Sequence, residues 1–209
     1  MSTGETRLPW ALLLCIGLLF TACRDAPPAD QAPSWSSLAD AWSPDAPLPP
    51  FQLVDQAGEA FSLEALSGGW VLMAFVFTRC TVPEACPRTM ERLAEVQTAY
   101  RAREPRDGER PLRLLTLTLD PAHDTPDVLR RYGQAYGVEP TVWTLATGPE
   151  GLLDDALPSM INVLATPDPT LGIRHSVKAA LLRPGLHLHK EWRDNAVGPE
   201  EVFAAMKTP

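Results

Sequence analysis

The sequence predicts an α/β domain: a central mixed sheet flanked by helices and closed by a C-terminal hairpin and a last helix. Three observations predict it. Two long apolar runs rich in β-formers, Trp70–Phe77 (WVLMAFVF) and Leu112–Leu119 (LRLLTLTL), read as strands buried on both faces. Each is followed by a segment with apolar residues at helical spacing, Met90, Leu93, Val96 and Tyr100 in the first, and Val128, Leu129, Tyr132 and Tyr136 in the second. Near the C-terminus, Pro184-Gly185 separates two short β-like segments, Val177–Leu182 and Leu186–Trp192.

The remaining elements fall in between. Residues 51–66 (FQLVDQAGEAFSLEAL) read as a short strand, a turn at Gly58 and a second short element. The first long helix runs from Pro87 to Ala102, and the second begins at Pro126, capped by Asp124 or Thr125, and ends at Gly137. Trp143–Leu145 is a short strand, Pro149–Leu157 a short helix, Ser159–Arg174 a loop, and Pro199–Lys207 a closing helix capped near Gly198. Strands separated by helices require parallel crossovers, and a terminal hairpin adds antiparallel strands. That order is the outline of a thioredoxin-like sheet.

The N-terminus reads as targeting sequence. Pro9–Phe20 (PWALLLCIGLLF) is too short an apolar run to span a bilayer comfortably and is the length of a signal-peptide core. Its end, Leu19-Phe20-Thr21-Ala22-Cys23, resembles the bacterial lipobox, in which the signal is cut before a cysteine that then carries lipid. The expected organisation is a lipoprotein signal peptide over residues 1–22, a flexible Pro/Ala-rich tether over 23–50 with Cys23 lipidated, and one domain over 51–209. The plainer alternative is an ordinary cleaved signal or an uncleaved anchor. The lipid reading places the domain outside the cytoplasm, on the periplasmic side of a bacterial membrane.

The net charge of −8 and the lack of a basic stripe argue against nucleic-acid binding and against electrostatic docking to anionic lipid. With Cys15 in the signal and Cys23 acylated, Cys80 and Cys86 remain to the domain. A disulfide between them would close a loop too short to remove much chain entropy, so a chemical role is favoured over a structural staple.

The segment FTRCTVPEACP lies between a buried strand and a helix start, at the carboxyl end of a parallel strand, where function usually sits. Pro87 suits the first helical turn, which puts Cys86 at or near the N-cap, where unpaired N–H groups and the helix dipole favour a thiolate. Arg79 adds positive charge beside Cys80. Thiolates are the ligands that soft ions such as Cu(I) prefer.

With FVFTRC and ACP, the blocks LTLDPAHDTPDVLRRYGQAYG, WTLATG and HSVKAALL make the chain similar to the Sco/SenC family of thioredoxin-like copper proteins over most of Phe51–Met206. The resemblance implies a copper site made by two cysteines and a distant histidine, here Cys80, Cys86 and His175. It also implies a role in building the copper site of cytochrome c oxidase, or of another cuproprotein, and in thiol–disulfide exchange. The family's usual spacing has three residues between the cysteines. The five here mark a divergent branch with C-x5-C spacing and change the bite of the two sulfurs.

Two functions are therefore expected: a copper metallochaperone, and alternatively a thiol–disulfide oxidoreductase using the same pair. Peroxide reduction fits the fold, but Thr78-Arg79-Cys80 lacks the Thr/Ser-x-x-Cys spacing it needs. Asp120, after the second long strand, either tunes thiol protonation or bonds its own turn. His187 and His189 alternate along the last strand and read as a solvated edge, with a weak accessory metal site as the sharper alternative. His123 reads as a loop residue, Trp143, Met73 and Met90 as core, and Met160 as lying near His175 without a role.

Overall fold

A computed structural model describes residues 34–104 and 107–207, together with Met1. The signal segment beyond Met1, the lipidation candidate Cys23 and the tether as far as residue 33 lie outside the described residues. Among the described residues no helix is long and apolar enough to cross a membrane.

The main sheet holds seven strands: β1 (Gln52–Asp55), β2 (Ala60–Ser62), β3 (Trp70–Val76), β4 (Leu112–Thr118), β5 (Trp143–Thr147), β8 (Lys178–Arg183) and β9 (His187–Arg193). Their order across the sheet is β2-β1-β5-β4-β3-β8-β9. The centre is parallel, β5 to β4 to β3, while β1 joins β5 and β8 joins β3 in antiparallel fashion. The mixed sheet is the expected one, and its register follows from the apolar runs. Every residue of β3 is buried, because both faces of that strand are covered.

Val71, Met73 and Phe75 point to one face and Leu72, Ala74 and Val76 to the other. The second face is covered by α2 (Cys86–Ala102), α3 (Pro126–Ala135) and α5 (Pro199–Ala205), through Met90, Leu93, Val96, Leu129 and Val202. On the first face lie a π-helical turn (Leu152–Ala156), the short α4 (Leu157–Met160) that continues it, and the N-terminal segment.

That segment departs from the tether expected over residues 23–50. Ser34 caps a helix, α1 (Trp35–Ala41), by accepting the Ser37 N–H, and Trp35 meets Phe51 edge-on at 6.2 Å. Leu48 is 3 % exposed and donates its N–H to the Leu186 carbonyl at 2.9 Å. The cause is the two-sided burial of β3: a strand this apolar needs cover on both faces, and residues 34–51 supply part of it. The Pro- and Ala-rich stretch has no periodic pattern, and its one sign of packing is the pair Trp35 and Trp42, both of which lie against the core.

The expected loop over Ser159–Arg174 also contains structure, a small hairpin of β6 (Ala165–Asp168) and β7 (Gly172–His175). Its turn is built by Asp168, whose carboxylate accepts the N–H groups of Thr170 and Leu171 and a charge-assisted bond from Arg174 at 2.7 Å. Gly172, at φ +78°, closes the turn in a conformation that costs glycine little. Short strands carrying Pro167 and mostly exposed side chains leave no alternating signal in the sequence.

Leu48→Ala is expected to lower the unfolding free energy by about 2 to 4 kcal/mol, the range for truncating a buried leucine. Urea denaturation followed by circular dichroism measures it, and an unchanged midpoint would return residues 34–50 to the status of a tether.

Candidate functional site

The site forms where the carboxyl end of β3 meets the amino end of β8. The two strands run antiparallel, with Val71 opposite Leu182 and Ala74 opposite Ala179. The segment entering β8 therefore passes beside the segment leaving β3. His175, the last residue of β7, and the loop Thr78–Ala85 are brought together for this reason, although 89 positions separate His175 from Cys86.

Cys86 is the first residue of α2, with Pro87 next in the opening turn, as the sequence suggested. Ala85 stands at the N-cap and offers no side-chain cap. Both cysteines are free thiols; Cys86 is wholly buried and Cys80 partly so. The Cys86 thiol bonds the Cys80 sulfur, which lowers the Cys80 pKa to about 6 against the opposing effect of burial, with further help from the backbone N–H groups of Cys86 and Val82. The same bond raises the Cys86 pKa, because a thiol that donates to a thiolate holds its proton, and burial raises it further.

This reverses the expectation of a depressed Cys86. The two sulfurs share one proton, and the charge settles on the better-solvated Cys80 while the buried sulfur keeps the hydrogen. The helix N-terminus still contributes, through the Cys86 N–H, which favours the thiolate at both sulfurs, but at Cys86 the bond to Cys80 and burial outweigh it.

His175 stands on the other side of Cys86. Its Nε2 lies 3.2 Å from Cys86 Sγ and its Nδ1 lies 3.2 Å from the Ser176 carbonyl. A carbonyl only accepts, so Nδ1 carries the hydrogen and Nε2 is an acceptor for the Cys86 S–H, whose one hydrogen serves either His175 or Cys80 at a time. Burial lowers the His175 pKa, opposed by the bond to Ser176, which keeps the ring neutral at pH 7. Phe77 meets the imidazole edge-on at 5.8 Å. Among the described residues no three His, Cys, Asp or Glu side chains already form a metal-holding cluster; Cys80, Cys86 and His175 are joined pairwise, through Cys86. Two sulfurs and a neutral imidazole suit a soft monovalent ion.

Asp120 sits at this end of the sheet, and its carboxylate holds Arg79, accepting from Nε at 3.0 Å and Nη2 at 2.6 Å. It thereby fixes the side chain that precedes Cys80. The other histidines stand apart. His187 donates from Nδ1 to the Asp45 carbonyl, whereas His189 bonds the Ala205 carbonyl through Nε2 and lies against Trp70 at 5.1 Å. A register shift opposite Leu181 and Leu182 breaks the alternation that would have put these two rings on one face. His123 is exposed in a turn, and Met160 is buried in the core.

Sequence reasoning missed Asp124. Of the two expected caps of α3, Asp124 and Thr125, the N-cap is Thr125, and Asp124 is wholly buried. One carboxylate oxygen accepts the Thr78 hydroxyl at 2.5 Å; the other accepts the Thr78 N–H at 3.0 Å and the Thr118 hydroxyl at 2.5 Å. Thr118 ends β4 directly opposite Val76 of β3, so Asp124 ties the exits of both strands to the start of α3. The available signal was a pair of threonines at two strand ends, which only the strand register brings together.

The model of the SCO1/SenC family matches residues 40–208. A mitochondrial SCO2 homologue from Bos taurus is 31 % identical over 160 residues, covering 75 % of this chain and 57 % of the relative. The chain spans about half the length of the first curated relatives, 41 % of one and 57 % of the other. Among solved structures, a SCO1/SenC family lipoprotein from Bacillus anthracis aligns with a TM-score of 0.67 at 22 % identity, covering 78 % of this chain and 94 % of that one. ScoI from Bradyrhizobium japonicum, solved with copper bound, aligns with a TM-score of 0.60 at 25 % identity, covering 78 % of this chain and 98 % of that one.

Two expectations follow from the geometry. The rate at which iodoacetamide alkylates Cys80 should rise through pH about 6 as the thiolate forms and level off above it, while Cys86 stays unmodified in the folded chain. Cys86→Ala should move the Cys80 midpoint up toward the ordinary thiol range; mass spectrometry of the alkylated peptides reads both, and an unmoved midpoint would rule out the shared proton. Asp124→Ala leaves two hydroxyls and an N–H without their acceptor, and is expected to cost about 1 to 3 kcal/mol in equilibrium unfolding for each of them that stays buried.

Proposed function

The chain belongs to the SCO1/SenC family, and from that premise we propose that it is an extracytoplasmic copper metallochaperone that holds its cargo through Cys80, Cys86 and His175. The observation that carries this reading is the 3.2 Å contact of His175 Nε2 with Cys86 Sγ, while the Cys80 sulfur bonds the same Cys86. The copper-bound ScoI relative supports the choice of metal.

Each donor has its part. Cys80 is a thiolate at neutral pH and supplies negative charge without first losing a proton. Cys86 must release its proton on binding, so affinity should rise with pH. His175 offers a neutral nitrogen oriented by Ser176. Arg79 precedes Cys80 and is held by Asp120, so Asp120 acts on the site by restraining that side of the loop.

The client is a cuproprotein, such as the copper-site subunit of cytochrome c oxidase, following the family reading. The domain is held at the periplasmic face of a bacterial membrane by lipid on Cys23, with residues 1–22 as its signal; the lipoprotein from Bacillus anthracis supports this arrangement.

A second reading, thiol–disulfide exchange, is favoured by the low Cys80 pKa beside a buried partner thiol. The Cys80 thiolate attacks a client disulfide, forming a mixed disulfide and releasing one client thiolate. Cys86 then loses its proton and attacks the Cys80 sulfur, which frees the second client thiol and leaves Cys80–Cys86 oxidised. Two electrons pass to the client, and an external dithiol restores the pair.

His175→Ala separates the two readings. The variant should lose about a hundredfold or more in Cu(I) affinity, measured by competition with a chromogenic chelator, because a missing ligand costs more than a missing outer-shell partner. Its exchange rate with a model disulfide should stay close to the parent's. Undiminished copper affinity would sink the three-donor site.

A further inference from the structure

The five-residue loop between the cysteines is held from outside as well as from within. Its internal bonds are two turns, Cys80 N–H to the Phe77 carbonyl and Ala85 N–H to the Val82 carbonyl. At its far end the N-cap residue Ala85 has no side chain with which to fasten the start of α2. Besides the Arg88 N–H, which donates to the Pro83 carbonyl at 3.2 Å, a further fastening comes from the corner between β9 and α5.

That corner is Arg193-Asp194-Asn195-Ala196, closed by the Ala196 N–H on the Arg193 carbonyl at 2.9 Å. Asp194 and Asn195 both have positive φ, +52° and +57°, as in a type I′ turn. Asparagine and aspartate tolerate this region better than other residues with side chains. The Asn195 side chain donates from Nδ2 to the Glu84 carbonyl at 2.8 Å, and its Oδ1 accepts the buried Thr89 hydroxyl of α2 at 2.9 Å. The preceding Asp194 N–H donates to the Val177 carbonyl at 3.1 Å, two residues after His175. One turn therefore grips both halves of the donor set, the cysteine loop through Glu84 and the histidine segment through Val177.

We propose that Asn195 is a positioning residue that sets the distance between the cysteine loop and His175, so that the longer C-x5-C loop still closes on one copper ion. This rests on the copper reading above. Asn195 touches neither sulfur nor imidazole in its described bonds; it acts through the Glu84 carbonyl, two residues before Cys86. The Glu84 bond matters more than the Thr89 bond, because the Thr89 hydroxyl also reaches the Ala85 carbonyl at 3.1 Å and keeps a partner without Asn195.

Two substitutions test it. Asn195→Gly keeps the positive φ and removes the amide. Asn195→Asp keeps an acceptor for Thr89 but has no N–H to give to Glu84. In the purified full-length protein both should bind one Cu(I) per chain with about 10- to 100-fold lower affinity in chelator competition, the range for outer-shell partners of a metal site. Both should also shift the thiolate-to-Cu(II) charge-transfer absorption, while near-ultraviolet circular dichroism stays that of the parent. A merely structural residue would lower the melting temperature and leave affinity and absorption unchanged well below it. Parent-like affinity and absorption in both variants, with His175→Ala still impaired, would overturn the positioning role and leave the copper reading standing. A parent chain that binds no copper would overturn the copper reading and this role with it.

Discussion

The site depends first on the buried carboxylate of Asp124. It gathers the Thr78 N–H and the hydroxyls of Thr78 and Thr118, so the exits of β3 and β4 and the entry to α3 meet at one point. An acceptor buried away from solvent must have its lone pairs filled, and only a narrow set of positions for Thr78 fills them. Cys80 follows two residues later, so the path of the cysteine loop starts from an anchored residue. Asp120 restrains the next side chain, Arg79, and Asn195 restrains the loop's far end at Glu84. The loop is anchored at both ends, and the sulfurs lie between.

What the loop holds is a pair of thiols with one proton between them. Exposure decides its place: Cys80 reaches solvent and carries charge, whereas Cys86 lies in the core with Met90 and Leu93 and keeps its hydrogen. His175 completes the arrangement because burial keeps it neutral and Ser176 decides which nitrogen is protonated. The same features suit copper binding and disulfide exchange, which explains why one cysteine pair supports both readings and why the histidine is the residue that separates them.

Much of the fold was legible in the residues. The apolar runs of β3 and β4, the spacing of Met90, Leu93 and Val96, and the Pro184-Gly185 turn each had one natural reading, and the structure follows it. The β6–β7 hairpin was not legible: its strands are short and largely exposed, and its turn depends on Asp168 bonding to atoms beyond its own dipeptide. Nor was the packing of residues 34–50, whose order derives from the uncovered face of β3 rather than from their own composition.

The sequence by itself determined the α/β class and the strand-to-helix placement of Cys80 and Cys86, because these rest on periodicity and on a local motif, while His175 as the third candidate donor came from the resemblance to the Sco/SenC family. Tertiary structure alone decided which cysteine carries the charge, that Asp124 anchors the loop instead of capping α3, and that the β9–α5 corner joins the cysteine loop to the histidine segment. Each of those depends on burial or on contacts between residues far apart in the chain. A one-dimensional pattern records what a residue is, but not which neighbours the sheet's antiparallel edge will bring against it.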